Sequence, residues 1–139
     1  MTPEALMEQA RAAMQRAYAP YSGFWVGAAL LGQSGTVYLG CNVENAAYGP
    51  SNCAERTAVF KAVSEGERQF SAIAIAGGPG GRIAAACPPC GVCRQVLREF
   101  CGDAFPIYLC GADGSVRTYT LSQLLPESFS GSNLSESGV

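Results

Sequence analysis

The chain has 139 residues and a formal net charge of −2, and this length fits one domain with a single buried core. Its nine basic residues are scattered along the sequence, which disfavours nucleic acid as a partner because polynucleotide-binding surfaces cluster Lys and Arg to neutralise phosphates. Hydrophobic residues make up 48% of the chain but occur in short runs, which excludes the roughly 20 consecutive apolar residues of a membrane-spanning helix.

The first third of the chain predicts a helix followed by two strands. Thr2 as the N-cap and Pro3 at the first helical position begin the helix, and Pro20 ends it. The apolar residues that recur at helical spacing and predict its buried stripe are Leu6, Ala10, Ala13 and Ala17. Residues 24–31 and 37–43 predict two strands that the turn-forming residues 32–35 join as a hairpin.

The rest of the chain predicts alternating helices and strands. In order, these are helix 53–65, strand 71–76, a loop over 77–89, helix 90–101, strand 106–110, strand 115–119 and a short helix over 121–125. The strand–helix–strand order implies a parallel pair with a right-handed crossover, and the tight turn over 111–114 makes the fifth strand antiparallel to the fourth. We expect one domain over residues 1–129 and a flexible, Ser- and Gly-rich tail over 130–139.

The histidine and cysteine counts narrow the chemistry. The sequence has no histidine, which removes the commonest general base and the commonest metal ligand together. Its first residues show no basic region leading into an apolar one, so we expect no secretory signal and a cytoplasmic location. In a reducing compartment, an odd number of cysteines favours metal ligands or buried thiols over disulfides. The seven cysteines are Cys41, Cys53, Cys87, Cys90, Cys93, Cys101 and Cys110.

Three of these cysteines are placed where thiolates are favoured. Cys90 and Cys93 are spaced i,i+3 at the start of a predicted helix, so both thiols can face one point. Cys53 begins the other helix in the same way, and the positive partial charge of a helix N-terminus lowers thiol pKa values. Three thiolates on two helix N-termini could bind zinc and leave a fourth position for water, as in catalytic zinc sites.

The same residues allow other interpretations. Cys87 and Cys90 form a second C-x-x-C pair, so a redox dithiol is possible, and Cys87 could instead complete a closed, structural four-cysteine zinc site. Glu55 follows Asn52 at the spacing of a capping box, in which its carboxylate would only bind a backbone amide. Asn42 and Glu44 could be ordinary polar residues at the end of a strand.

Several motifs occur together and in order, and as a set they resemble the small homotetrameric, zinc-dependent cytidine deaminases. The resemblance runs from about residue 18 to residue 129. The zinc deaminase signature itself pairs a Cys/His-Ala-Glu segment with Pro-Cys-x-x-Cys. The matching segments are Tyr21-Ser22-x-Phe24-x-Val26-Gly27-Ala28-Ala29-Leu30, Gly40-x-Asn42-Val43-Glu44-Asn45-Ala46-x-Tyr48-Gly49, Cys53-Ala54-Glu55-Arg56 and Pro89-Cys90-Gly91-x-Cys93-Arg94-Gln95.

The resemblance implies a fold, a cofactor and a reaction. The fold would be a three-layer αβα cytidine-deaminase-like α/β fold with a mixed five-stranded sheet and a zinc site on two helix N-termini. One Zn²⁺ per subunit would be bound by Cys53, Cys90 and Cys93. Hydroxide on zinc would attack C4 of free cytidine or 2'-deoxycytidine while Glu55 moves protons, releasing ammonia and the uracil nucleoside, a reaction of pyrimidine salvage.

The resemblance also implies roles for residues around the zinc. Arg56 would hydrogen-bond to the thiolate sulfurs and offset their charge, the backbone amide of Ala54 would lie near the reacting end of the pyrimidine, and Phe24 would pack on the base. Asn42 and Glu44 would bind the ribose hydroxyls. The active protein would be a homotetramer with shared active sites, to which Tyr48 and Phe129 contribute across subunits.

Two functions compete with nucleoside deamination. A deaminase of a cytosine-containing aminonucleoside antibiotic such as blasticidin S would share Cys53, Glu55, Cys90 and Cys93, although the Asn42 and Glu44 pair favours the nucleoside. A non-catalytic, zinc-stabilised binding module would instead have four cysteine ligands and no turnover.

Overall fold

The computed structural model describes residues 1–135, and these form five strands and four α-helices, followed by one 3-10 turn. The elements, in chain order, are α1 (Pro3–Met14), β1 (Phe24–Gly32), β2 (Val37–Cys41), α2 (Ala54–Ser64), β3 (Phe70–Pro79), α3 (Gly91–Phe100), β4 (Pro106–Cys110), β5 (Val116–Thr120) and α4 (Leu121–Leu124). None of the helices within residues 1–135 combines the length and apolarity that crossing a membrane requires.

The five strands form one mixed sheet in the order β2-β1-β3-β4-β5. The β3/β4 pair is parallel and the other three pairs are antiparallel, because helix α3 carries the chain back along the sheet between β3 and β4. The predicted hairpin, the parallel pair and the antiparallel fifth strand are therefore confirmed.

Helices cover both faces of the sheet and divide the core in two. Helix α1 packs on one face through Leu6 and Ala10, where side chains such as Ala29 meet it. The neighbouring side chains Ala28 and Leu30 point to the other face, towards α2, α3 and α4, because successive residues of a strand alternate between faces. The predicted three-layer arrangement is confirmed.

Three predicted boundaries were wrong because tertiary pairing overrides local pattern. Helix α1 ends at Met14 rather than at Pro20, because Tyr18 pairs instead with Val43 in a short parallel bridge. Strand β2 ends at Cys41 rather than at residue 43. Strand β3 extends to Pro79, into the predicted loop, because the first residues of β1 pair with 77–79.

The predicted C-terminal tail is described only in part. Its first residues form a 3-10 turn over Gly131–Leu134, in which the side chain of Asn133 accepts a hydrogen bond from the backbone N–H of Ser130. Residues 136–139 lie outside the described residues, so the flexibility of the tail stays a prediction, as does the domain boundary at 129.

Glycines in the sheet let the helices approach it closely. A Cβ on Gly40 of β2 would lie 2.3 Å from the carbonyl oxygen of Ala54 and 2.6 Å from the backbone nitrogen of Ala58, both in α2. Such distances are far shorter than van der Waals contact. Moving the backbone of a packed helix aside would cost conformational stability. Gly40 therefore sets how near the first turns of α2 lie to the sheet.

We predict that Gly40→Ala destabilises the zinc-loaded protein by about 1–3 kcal/mol, because α2 must shift away from β2. The measurement is the free energy of unfolding from urea denaturation. Gly102→Ala is the matched control, since an added Cβ there meets nothing within 4 Å and its backbone does not adopt a positive φ. Equal stabilities of the two variants would contradict the close approach of α2.

Candidate active site

Three cysteine sulfurs converge at the N-termini of α2 and α3. Cys53 and Cys90 are the N-cap residues of the two helices, both with extended backbones, and Cys93 lies in the first turn of α3. The sulfur of Cys90 is 3.7 Å from that of Cys53 and 3.5 Å from that of Cys93. All three sulfurs lie within 4.8 Å of one another, so the structure brings the predicted metal ligands together.

The spacing of these sulfurs fits a zinc ion. Tetrahedral zinc with Zn–S bonds of about 2.3 Å places its sulfur ligands about 3.8 Å apart, close to the two measured separations. Within residues 1–135, the His, Cys, Asp and Glu side chains close enough to share one metal here are Cys53, Cys90 and Cys93. This set has three members, so a fourth coordination position remains for a reacting molecule.

Cys87 lies beside this cluster but does not join it. Its thiol lines the same cavity as Cys53 and Cys90 and packs against Gly77, where an added Cβ would come within 2.9 Å of the sulfur. Burial, followed by the nearby charges of Glu55 and Cys53, raises the pKa of Cys87 to about 12. A protonated thiol outside the three-sulfur cluster gives no support to the four-cysteine zinc site.

Arg56 provides positive charge to the sulfurs. Its Nη2 donates a hydrogen bond to the Cys53 sulfur at 3.3 Å. Hydrogen bonds from Cys93 and from Arg56 lower the pKa of Cys53 to about 5, whereas the pKa of Cys93 is raised, chiefly by its hydrogen bond to Cys53. The thiolate is therefore favoured first at Cys53, the sulfur that the guanidinium contacts.

Glu55 is buried beside the cluster with one oxygen free. Its exposed fraction is 4%, and its Oε1 has no hydrogen-bond partner among the described residues. Burial raises the pKa of the Glu55 carboxyl to about 7, and the nearby Cys53 adds to this effect. The capping-box interpretation fails, because the backbone N–H of Asn52 donates to the carbonyl of Val43 instead. A carboxyl with these properties can take up and release a proton near neutral pH.

A cavity of about 240 Å³ opens onto Glu55 and the sulfurs. The predicted residues that line it are Asn42, Glu44, Cys53 and Glu55, together with Cys90. Tyr48 lies outside it, in a neighbouring cavity that shares Glu44, and its side chain is 77% exposed.

Three other predicted residues, Ala54, Phe24 and Phe129, do not line the cavity. Ala54 is fully buried as the first residue of α2, so its amide N–H has no acceptor within the helix. Phe24 begins β1 with 40% of its surface exposed. Phe129 is 58% exposed, and its backbone carbonyl accepts a hydrogen bond from Gln95 of α3.

Sequence reasoning missed four residues of the cavity lining. These are Val26, Ser51, Asn52 and Pro88. A signal was present for three of them: Ser51 and Asn52 directly precede Cys53, and Val26 lies two residues after Phe24 and therefore on the same face of β1. No pattern in the sequence pointed to Pro88.

The site has the features of a zinc-dependent hydrolase. These are three sulfurs that can bind zinc, an open coordination position and a buried carboxyl with a raised pKa. Residues 1–109 match the family described as the cytidine and deoxycytidylate deaminase zinc-binding region. The chain is 49% identical to a cytidine deaminase of Sporosarcina psychrophila, over 97% of this chain and 96% of that protein. It is 45% identical to one of Halalkalibacterium halodurans, over 98% and 100%.

A solved structure agrees with these relatives. The crystal structure of cytidine deaminase from Burkholderia pseudomallei superposes with a TM-score of 0.85 at 48% identity, covering 93% of this chain and 100% of that one. The chain therefore belongs to the zinc-dependent cytidine deaminase family and is a hydrolase that uses zinc.

We predict that Cys53→Ala, Cys90→Ala and Cys93→Ala each lose zinc, because two thiolates cannot hold the ion as three do. The measurement is the zinc-to-protein ratio by mass spectrometry after gel filtration. Cys87→Ala is the matched control and should retain zinc, since its sulfur lies outside the cluster. Loss of zinc from that control would restore the four-cysteine interpretation.

Proposed function

We propose that the protein deaminates free cytidine and 2'-deoxycytidine, converting each with one water into uridine or 2'-deoxyuridine and ammonia. The observation that carries this proposal is the buried Glu55 carboxyl, which faces a small cavity beside a three-sulfur zinc site. Its Oε1 has no hydrogen-bond partner within residues 1–135. The relatives named cytidine deaminase cover nearly the whole chain, which supports this substrate class over a nucleic acid.

Glu55 moves the protons of the reaction. Zinc, when bound by Cys53, Cys90 and Cys93, supplies the Lewis acidity that activates water for attack on C4 of the pyrimidine. The Glu55 carboxylate takes a proton from the attacking water and delivers it to ring N3. The same side chain then transfers the second proton to the exocyclic amino group, which leaves as ammonia. In a chain without histidine, this carboxyl is the acid–base group that the cavity offers.

Arg56 keeps the metal site reactive. Three thiolates make a zinc centre net negative, and this weakens it as a Lewis acid. The hydrogen bond from Arg56 to the Cys53 sulfur withdraws charge from one thiolate, as groups behind metal ligands commonly do. The positive ends of α2 and α3 act in the same direction.

The remaining contacts orient the nucleoside. Asn42 and Glu44 line the cavity, where their polar side chains would bind the ribose hydroxyls. The Ala54 amide, at the positive end of α2, would lie near the reacting end of the pyrimidine, and the exposed ring of Phe24 would pack on the base.

Ammonia release from cytidine tests the activity directly. We expect the zinc-loaded enzyme to release ammonia from cytidine and 2'-deoxycytidine, and expect this release to stop after chelation of zinc. We also expect Glu55→Gln to retain zinc and its fold while kcat falls by about 10²-fold or more, because the amide cannot transfer protons. Turnover of Glu55→Gln close to that of the unchanged enzyme would contradict the mechanism.

A second substrate in the same assay separates the competing functions. We expect blasticidin S to be turned over poorly compared with cytidine, and the loss of ultraviolet absorbance measures both reactions. Preference for the antibiotic would replace the nucleoside proposal, and zinc binding without any turnover would favour the binding module.

The active form would be a cytoplasmic homotetramer whose subunits share active sites. Tyr48 and Phe129 are both large and exposed in the single chain, although aromatic side chains usually bury most of their surface. Tyr48 lines the neighbouring cavity, which shares Glu44 with the nucleoside site. A neighbouring subunit's Phe129 segment would close it.

Mixing two defective variants tests the shared site. We expect Phe129→Ala to raise KM for cytidine, because the aromatic contact is lost from a neighbour's site. Subunit exchange between Phe129→Ala and Glu55→Gln tetramers should restore activity at low cytidine, since some sites then combine an intact Glu55 with an intact Phe129. Light scattering verifies the tetramer, and isotopically labelled subunits followed by native mass spectrometry verify exchange. Absence of rescue after verified exchange would contradict sharing.

A further inference from the structure

The residues that lead into β1 are held by the side chains that follow β2. The amide group of Asn42 bridges two backbone positions of β1: its Nδ2 donates to the Phe24 carbonyl at 2.8 Å, and its Oδ1 accepts from the Val26 N–H at 2.9 Å. The Glu44 Oε1 accepts from the backbone N–H groups of Tyr21 and Ser22 at 2.9 and 3.0 Å. Both side chains therefore fix the protein as well as lining the cavity.

Ser22 joins these two sets of contacts. Its hydroxyl donates to the Glu44 Oε2 and accepts from the backbone N–H of Phe24 at 3.0 Å. A hydrogen bond to a carboxylate is stronger than one between neutral groups, and bonds that share a hydroxyl polarise one another. The Ser22 hydrogen bonds also lower the pKa of Glu44, so the carboxylate stays charged at neutral pH.

The backbone of Phe24 is consequently held on both sides. Its N–H binds Ser22 and its carbonyl binds Asn42, while Gly23 turns the chain between Ser22 and Phe24 with a φ of 66°. The ring of Phe24 is exposed, so packing alone does not fix where it stands relative to Glu44. The Ser22 hydroxyl adds a hydrogen-bonded link between the backbone of Phe24 and the carboxylate of Glu44.

Resting on the proposed function, in which Glu44 binds ribose and Phe24 packs on the base, we infer that Ser22 is a positioning residue for the nucleoside. Its hydroxyl fixes the separation between the ribose contact and the base contact. It acts through Glu44 and Phe24 and does not touch the reacting atoms.

The test compares Ser22→Ala with a serine that makes the same bonds elsewhere. Ser34 donates its hydroxyl to the Glu67 carboxylate at 2.6 Å, its backbone N–H binds the same carboxylate, and its hydroxyl accepts from the N–H of Thr36 two residues on. Ser34 lies in the turn at the far end of β1 from Phe24. Ser34→Ala therefore removes an equivalent local structure away from the site.

We expect Ser22→Ala to raise KM for cytidine by about tenfold to hundredfold, the effect of losing one hydrogen bond to a charged group. The kcat should change less than about threefold, because ribose and base contacts are made alike in the ground and transition states. Ser22→Thr should restore KM to within about twofold, since it keeps the hydroxyl and the exposed position has room for a methyl group. Ser34→Ala should leave both constants unchanged.

A double-mutant cycle tests the route of the effect. In a Phe24→Ala background, Ser22→Ala should raise KM by clearly less than it does alone, because the part of its effect that acts through that ring is then absent. Three results would each overturn the inference, provided that the enzyme without substitutions is active. They are an unchanged KM in Ser22→Ala, an equal rise of KM in Ser34→Ala, and full additivity of Ser22→Ala with Phe24→Ala. Absence of cytidine turnover by the unchanged enzyme would instead overturn the proposed function, and this inference with it.

Discussion

Three thiol sulfurs lie within 4.8 Å of one another at the end of the sheet, so as thiolates they repel one another unless the protein and a metal supply positive charge. Two unit charges about 4 Å apart interact by about 4 kcal/mol at an effective dielectric constant of about 20. The pKa values of Cys53 and Cys93 shift in opposite directions, chiefly because the hydrogen bond between their sulfurs favours the thiolate at Cys53 and the thiol at Cys93. Most other features of the site follow from this constraint.

The fold meets the constraint by bringing two helix N-termini to one edge of the sheet. In the sequence, α2 follows the loop after β2, and α3 follows the loop after β3. The two strands lie on either side of β1, so both helices rest on the same face, with Gly40 allowing α2 to approach it closely. The positive ends of both helices thus point at the sulfurs, and Arg56 adds a full charge. Burial of Glu55 against this cluster then raises its pKa.

The metal cluster could be predicted from the sequence because its determinants are local. The i,i+3 spacing of Cys90 and Cys93 and the position of Cys53 at a helix start place their thiols without knowledge of the sheet. The side of the helix on which Glu55 lies could not be predicted, because residues two apart on a regular helix diverge. The structure resolves this difficulty: Cys53 is an extended N-cap residue and not a helical one, so its sulfur and the Glu55 carboxyl can meet.

Features that depend on contacts distant in sequence were predicted less well. The extension of β3 through Gly77 and Gly78 depends on pairing with the first residues of β1, some fifty residues earlier, and a Gly-rich segment carries no strand signal of its own. The end of α1 at Met14 depends on the bridge between Tyr18 and Val43. In both cases long-range backbone pairing outweighed the local pattern.

Under the proposed function, the site would combine a buried part for proton transfer with a more exposed part for binding the sugar. Cys93 and Glu55 are almost fully buried, where low dielectric strengthens each electrostatic interaction and makes a proton transfer sensitive to its neighbours. Glu44 lines the same cavity from a loop that is held by hydrogen bonds to its side chain. Such a loop fixes polar groups for a substrate without the burial that would shift their charge states. Under the proposed function, one cavity would therefore hold both a charged sugar contact, Glu44, and a nearly dry acid–base group, Glu55.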